Sequence, residues 1–296
     1  MNMSDVPVIH DFESDAFRQA MADDAPNPIL RDVLRCMCLA PQRSSEWFKN
    51  RESVLITGSK LSGMLFLDTA QELVQWREEL LGLRPRQQTF DALALSRINF
   101  GRIHEQRATL ATVKVLKNNG HHISIFEAGF CRHPTQQTGS SPDGVVLWPD
   151  ATTRPEGSSA IMNFELKCSC KPEAHKSVPY YYIPQLFFEM RHLSAASGRQ
   201  VRETVFSSWS IRNHKVWLVH YSDALWDCLW SCVVETILVD TNDAGEISRL
   251  LQRLQFLRES CTRFSATSTQ CVPLHKRGGW PALDVPDDIQ LPGTTT

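Results

Sequence analysis

Three short pieces of the sequence carry side chains that can do chemistry: Phe100-Gly101-Arg102-Ile103-His104-Glu105, Ser140-Ser141-Pro142-Asp143-Gly144 and Phe164-Glu165-Leu166-Lys167-Cys168. Side chains alternate between the faces of a strand, so Glu165 and Lys167 point one way and Leu166 the other, into the core. An acid and a lysine side by side on a buried strand are costly unless something uses or neutralises them. The residue types suit magnesium, which takes oxygen ligands and binds through a couple of carboxylates together with water and substrate phosphate. Asp143 and Glu165 are the expected carboxylates and the Leu166 carbonyl a third oxygen, while Glu105 reaches the same spot from a helix, directly or through water. Lys167 cannot ligate a cation while charged. It can polarise an attacking water or stabilise negative charge growing on a phosphate.

The elements that must hold these groups follow from period and punctuation. Residues 1–25 read as an acidic flexible arm. The stretch 26–38 reads as a short helix burying Leu30, Val33, Leu34 and Met37. A helix is expected over 90–117, with Leu93, Ile103, Leu110 and Val113 at helical spacing and Asn118-Asn119-Gly120 as its left-handed stop. Strands are expected over 123–130, 144–148 and 162–168, around a Pro142-Asp143-Gly144 turn. A helix over 178–193, strands over 204–211 and 216–221, a helix capped by Ser222 and another over 246–259 complete a single domain at 26–260. Residues 261–296, rich in Ser, Thr, Pro and Gly, read as a disordered tail. The order points to one α/β domain, a mixed sheet covered by helices.

Ser141-Pro142-Asp143-Gly144 followed by Glu165-Leu166-Lys167-Cys168 resembles the lambda exonuclease and YqaJ-like viral recombinase family, within the PD-(D/E)XK nuclease fold. Trp47-Phe48-Lys49-Asn50-Arg51 with Ile56-Thr57-Gly58-Ser59 resembles that family's N-terminal motif, whose Arg and Ser hold the 5′-phosphate of a DNA end. Phe100-Gly101 with Glu105 resembles its helix glutamate, and Tyr182-Ile183-Pro184-Gln185 its Tyr-x-x-Gln helix, whose glutamine sits beside the catalytic lysine. Herpesvirus alkaline nucleases are similar. The resemblance covers about residues 43–221. It implies a restriction-endonuclease-like core and Mg²⁺-dependent (or Mn²⁺-dependent) 5′→3′ digestion of duplex DNA ends, leaving single strands for recombination or repair. The implied catalytic set is Glu105, Asp143, Glu165, Lys167 and Gln185, with Glu105, Asp143, Glu165 and Leu166 as metal ligands. Trp47, Arg51, Ser59 and Tyr182 are the implied DNA contacts. The implied partners are double-stranded DNA ends and a single-strand annealing protein, with a homo-oligomer allowed. Two other readings stay open: an endonuclease on RNA or structured DNA using the same site, and a non-catalytic scaffold that binds DNA ends.

Composition limits the alternatives. The chain has 296 residues, 42% apolar and 22% charged, enough for a substantial core. It has no 18-residue apolar run, so no membrane span is expected, and no secretory signal. Nine cysteines read as reduced thiols, which places the protein in an intracellular, reducing compartment, nuclear in a eukaryote or a nuclear virus. Cys36-x-Cys38 and Cys168-x-Cys170 lack the usual zinc spacing and read as buried thiols. The net charge of −2 hides an uneven distribution. Asp5, Asp11, Glu13, Asp15, Asp23 and Asp24 crowd one end and Asp284, Asp287 and Asp288 the other, leaving the middle of the chain positive and a polyanion partner permitted. The runs Lys114–Lys117 and Lys171–Lys176 are candidate backbone contacts.

Overall fold

The computed structural model describes residues 9–85, 91–275, 278–282, 285, 289 and 291–292. The acids of residues 1–8, Phe90, and Asp284, Asp287 and Asp288 lie outside the described residues. The first elements are β1 (Ile9–His10), α1 (Asp15–Met21), α2 (Pro28–Arg35), α3 (Ser45–Glu52), β2 (Ile56–Thr57), α4 (Leu61–Leu65) and α5 (Ala70–Leu80). The long helix α6 (Ala92–Asn118) leads to β3 (Ser124–Phe126), β4 (Cys131–Arg132), β5 (Thr138–Ser140), β6 (Gly144–Leu147) and β7 (Ile161–Cys168). Next come α7 (Ile183–Ser197), β8 (Glu203–Trp209), β9 (Asn213–His220), α8 (Asp223–Leu238), α9 (Ala244–Ala266), β10 (Cys271–Pro273) and β11 (Trp280–Pro281).

Local chemistry explains where these helices begin. The Asn27 side chain accepts the Leu30 N–H at 2.9 Å, and Pro28 follows in the first turn of α2, where its missing N–H costs nothing. Thr69 and Glu72 form a capping box on α5, and Ser222 caps α8 as its sequence suggests. Pro184 sits in the first turn of α7 and so begins that helix rather than kinking it. Gly198, at φ +67°, closes α7 in the left-handed conformation.

The main sheet runs β1-β3-β6-β7-β8-β9, with β10 and β11 both on β9. It is mixed: β1 lies parallel to β3 and β7 parallel to β8, and its other pairs are antiparallel. Apolar side chains fill both faces. On one face Val145, Phe206 and Trp217 of the sheet share a core with Phe187 of α7, Leu229 of α8 and Leu257 of α9. Under α6 lie Val146, Phe164, Leu166, Val205, Trp209 and Leu218. The architecture is therefore α/β, a mixed sheet with helices on both faces.

Three expectations need correcting. Residues 9–25 are no loose arm, because Ile9–His10 adds a parallel strand to the sheet and α1 buries Phe17 and Ala20. The supposed tail supplies the end of α9 and two strands that cover β9, since Cys271 and Trp280 have apolar surface to bury against it. Helix α6 is present, but it turns another face inward. Phe100, His104, Ala108, Ala111, Val115 and Leu116 are buried, whereas Ile103 is 67% exposed and Leu93 and Leu110 also face outward. Small alanines let the helix approach the sheet closely, which the bulkier leucine stripe would not.

Candidate active site

A second, small sheet delivers the loops of the site. β2 pairs in parallel with β5, Thr57 opposite Gly139, and β4 pairs antiparallel on the far side of β5. Two parallel strands release their following residues at the same edge. The Gly58–Lys60 turn after β2 and the Ser141-Pro142-Asp143 segment after β5 therefore emerge together. Asp143 immediately precedes β6, which is antiparallel to β7. Gly144 follows because nothing larger fits: a Cβ there would lie 2.7 Å from Ile125 Cγ2 and 3.0 Å from the Phe126 carbonyl oxygen.

The Asp143 Oδ2 accepts the Leu166 backbone N–H at 2.7 Å, which fixes its carboxylate against β7. Glu165, 1% exposed, points to the α7 side with Lys167. The Lys167 ammonium is paired with Glu165 Oε1, the same oxygen that accepts Gln185 Nε2 at 2.7 Å. The other oxygen, Glu165 Oε2, is buried with no hydrogen-bond partner among the described residues. Tyr182 lies with its ring 5.0 Å from the Lys167 ammonium, in cation–π range.

The electrostatics of this group are tense. Burial and then the neighbouring Glu165 charge push the Asp143 carboxyl well above the usual carboxylate range. Burial and the Glu189 charge raise Glu165 to about 7, against the pull of Lys167 and Gln185. Burial works against the Lys167 charge, but Glu165 and Asp143 outweigh it and hold the ammonium protonated. Two desolvated carboxylates that repel each other, one with a bare oxygen, form a donor set that a small hard cation would satisfy.

Of the expected ligands, Glu105 stands apart. Its carboxylate is engaged by Arg43 at 3.1 Å on the α6 side, although its charge still contributes to the rise of Asp143. Among the described residues, no three His, Cys, Asp or Glu side chains are grouped so as to hold a metal ion between them. Asp143 stands on the Leu166 backbone beside Glu165, while Glu105 is held by Arg43. The reason is that α6 packs on the sheet face opposite to the one Glu165 points toward.

The structure brings Arg51 and Ser59 together. Arg51 Nη2 donates to Ser59 Oγ at 2.9 Å, and its guanidinium lies 4.5 Å from the Trp47 ring centroid. Trp47 itself is buried and donates Nε1–H to Ser141 Oγ at 2.8 Å. Expected as a DNA contact, it instead positions Arg51 on one side and the segment leading to Asp143 on the other. Tyr182, also expected at DNA, packs against Lys167.

Two buried polar residues escaped sequence reasoning. Glu189, 1% exposed, accepts Gln185 Nε2 at 2.8 Å and Asn163 Nδ2 at 2.9 Å, and burial above all lifts its carboxyl to about 7. Both amide hydrogens of Gln185 are thereby spent on two carboxylates, which locks its orientation. Spacing contained the signal, since Glu189 is one helical turn beyond Gln185 and Asn163 two strand residues before Glu165.

No family model matches the chain, and no curated protein matches it.

Proposed function

We propose that this protein is a metal-dependent deoxyribonuclease with a PD-(D/E)XK-type core, acting as a 5′→3′ exonuclease on duplex DNA ends. One observation carries the reading: Asp143, Glu165, Lys167 and Gln185 meet at one edge of the sheet, with the Glu165 Oε2 buried and unbonded among the described residues. Mg²⁺, or Mn²⁺ in its place, is the proposed cofactor, held by Asp143, Glu165 and the Leu166 carbonyl, with Glu105 contributing through water. Bound there, it would supply Lewis-acid polarisation of the scissile phosphate and a lowered pKa for its water.

The chain's own groups do the rest. Lys167, kept protonated by Glu165 and Asp143, offsets the charge that grows on the phosphate oxygens and orients the attacking water. Gln185, locked between Glu165 and Glu189, holds that water's direction. Water attacks the phosphorus in line and the P–O3′ bond breaks; a proton from the water ends on the departing 3′-oxygen, leaving a 3′-hydroxyl on the released nucleotide and a 5′-phosphate on the shortened strand. The Arg51–Ser59 pair beside the same edge supports recognition of a terminal 5′-phosphate, which would select ends over closed circles. A single-strand annealing protein is the proposed recipient of the exposed strand.

The test is digestion in Mg²⁺ of linear duplex with and without a 5′-phosphate, of closed circular duplex and of RNA. Linear 5′-phosphorylated DNA should be degraded, circles spared, and activity lost in EDTA. Asp143→Ala and Lys167→Ala should each abolish cleavage with duplex binding retained. Full activity in either variant overturns the reading, and cleavage of circles or RNA moves it to an endonuclease.

A further inference from the structure

Beyond the catalytic lysine the sheet continues as a polar row. Lys167 on β7 is opposite Ser208 on β8, which is opposite Lys215 on β9. Directly paired residues share a face, so all three lie on the α7 side, with Lys215 two strand spacings, roughly 10 Å, from Lys167. The stem of Lys215 is enclosed: only 9% of the residue is exposed, and a Cβ on Gly279 would come within 2.7 Å of its Cγ. Its ammonium makes no hydrogen bond or ion pair among the described residues. A lysine buried to this degree without an acid partner is uncommon.

The loop 171–175 lies over this row and is pinned there. The Ala174 N–H donates to Asn213 Oδ1 at 2.7 Å, and Asn213 Nδ2 in turn donates to Glu173. Glu173, the acid of the loop, is thus engaged by an amide and by neither lysine. The His175 N–H donates to Ser208 Oγ at 3.1 Å, and its Nδ1 lies 2.8 Å from the same oxygen. The hydroxyl proton of the fully buried Ser208 has no other acceptor among the described residues, so it goes to Nδ1. The neutral ring then carries its proton on Nε2. Burial and the Lys171, Lys167 and Lys215 charges depress His175 to about 4, which keeps the ring neutral. The Lys171 and Lys215 charges thus lie within electrostatic reach of the His175 ring, and neither lysine has an ion pair among the described residues.

We propose that Lys215, Lys171 and His175 form a subsite for a backbone phosphate of a nucleic-acid strand, flanking the scissile position on the β9 side. The Arg51–Ser59 turn and Asp143 lie toward β6, on the other side of Lys167. A strand held at that turn by its terminal phosphate passes the Asp143–Glu165 pair and reaches Lys215 with its next phosphates. The identity of the ligand rests on the nuclease reading; the cluster of donors does not.

The experiment measures binding of a labelled 5′-phosphorylated duplex to the full chain in EDTA, over a range of NaCl, for wild type, Lys171→Ala, Lys215→Met and the double variant. Methionine keeps the packing of the Lys215 stem, and Lys171 is exposed, so folding is retained and is checked by thermal unfolding. Each lost phosphate contact should flatten the slope of log affinity against log salt by about 0.7–0.9. The double variant should lose about twice that, and Lys215→Arg should restore the wild-type slope. An unchanged slope in the folded double variant overturns the subsite. Wild type that binds DNA but never cleaves it in Mg²⁺ sinks the nuclease reading and leaves the subsite to be judged by its slopes. Absence of any DNA binding by wild type sinks the subsite too.

Discussion

Glu189 is the residue whose chemistry the site depends on most without having been expected. Its carboxyl shares the dry pocket with Glu165, and burial favours its protonated form. A folded-state pKa raised from 4.5 to about 7 contributes stability that is complete below pH 4.5 and is lost as pH rises through 7. Glu189→Gln removes that dependence and also relieves Glu165 of a neighbouring charge. The variant should gain stability relative to wild type on going from pH 4.5 to pH 8, by up to about 3 kcal/mol. Urea unfolding at the two pH values measures this, and an equal difference at both would refute it. At this scale the sequence was partly legible. Glu165 and Lys167 share a face because strands alternate, and the short motif shows it. That Glu105 is engaged by Arg43 could not be read, because the two are 62 residues apart and meet only when α6 docks.

Among the elements, the start of β6 couples fold to chemistry most tightly. Gly144 lets β6 approach β3, and the preceding Asp143 takes its position from that approach. Gly144→Ala should cost roughly 1–3 kcal/mol through overpacking. It should also lower the cleavage rate more than the stability loss explains, since Asp143 would shift with the backbone. Urea unfolding and single-turnover rates together test this, and a stable, fully active variant would contradict it. α7 is the second such element: His192 Nδ1 donates to the Phe188 carbonyl at 2.7 Å, and its Nε2 accepts from Thr138 Oγ1 at 2.8 Å. The helix that carries Gln185 is thus tied to the strand that leads to Asp143. The strands β3 and β6 to β9 and the helices α2 and α6 to α9 were legible from hydrophobic period and caps, as with Ser222 and α8. The inward face of α6 was not, because alanines that permit close packing carry little hydrophobic signal.

For the whole molecule, buried neutral histidines set the acid limit. Burial depresses both His192 and His214 to about 3, so their neutral rings contribute stability that is complete above pH 6.5 and is lost as pH falls toward 3. Below pH 4.5 Glu165 and Glu189 are protonated in folded and unfolded chains alike and no longer oppose this trend. From pH 4.5 to 3 the protein should therefore lose about 1.4 kcal/mol per pH unit for each ring. Denaturant unfolding across that window measures it, and a flat profile would exclude the neutral state of these rings. The ends of the chain also belong to this scale. Ile9–His10, Cys271–Pro273 and Trp280–Pro281 lie in stretches that look loose by composition, yet they complete the sheet at its two edges.

By itself the sequence determined the α/β class, the helix caps, the Pro-Asp-Gly strand start and the shared face of Glu165 and Lys167. These depend on neighbours within a few residues, where backbone geometry and alternation leave little freedom. Tertiary structure alone decided that Asp143 docks on the Leu166 backbone beside Glu165 while Glu105 meets Arg43, that Trp47 is buried beside Arg51, and that Lys215 extends the row of Lys167. Such contacts join segments tens of residues apart, and their partners are chosen by which faces the packed helices bury.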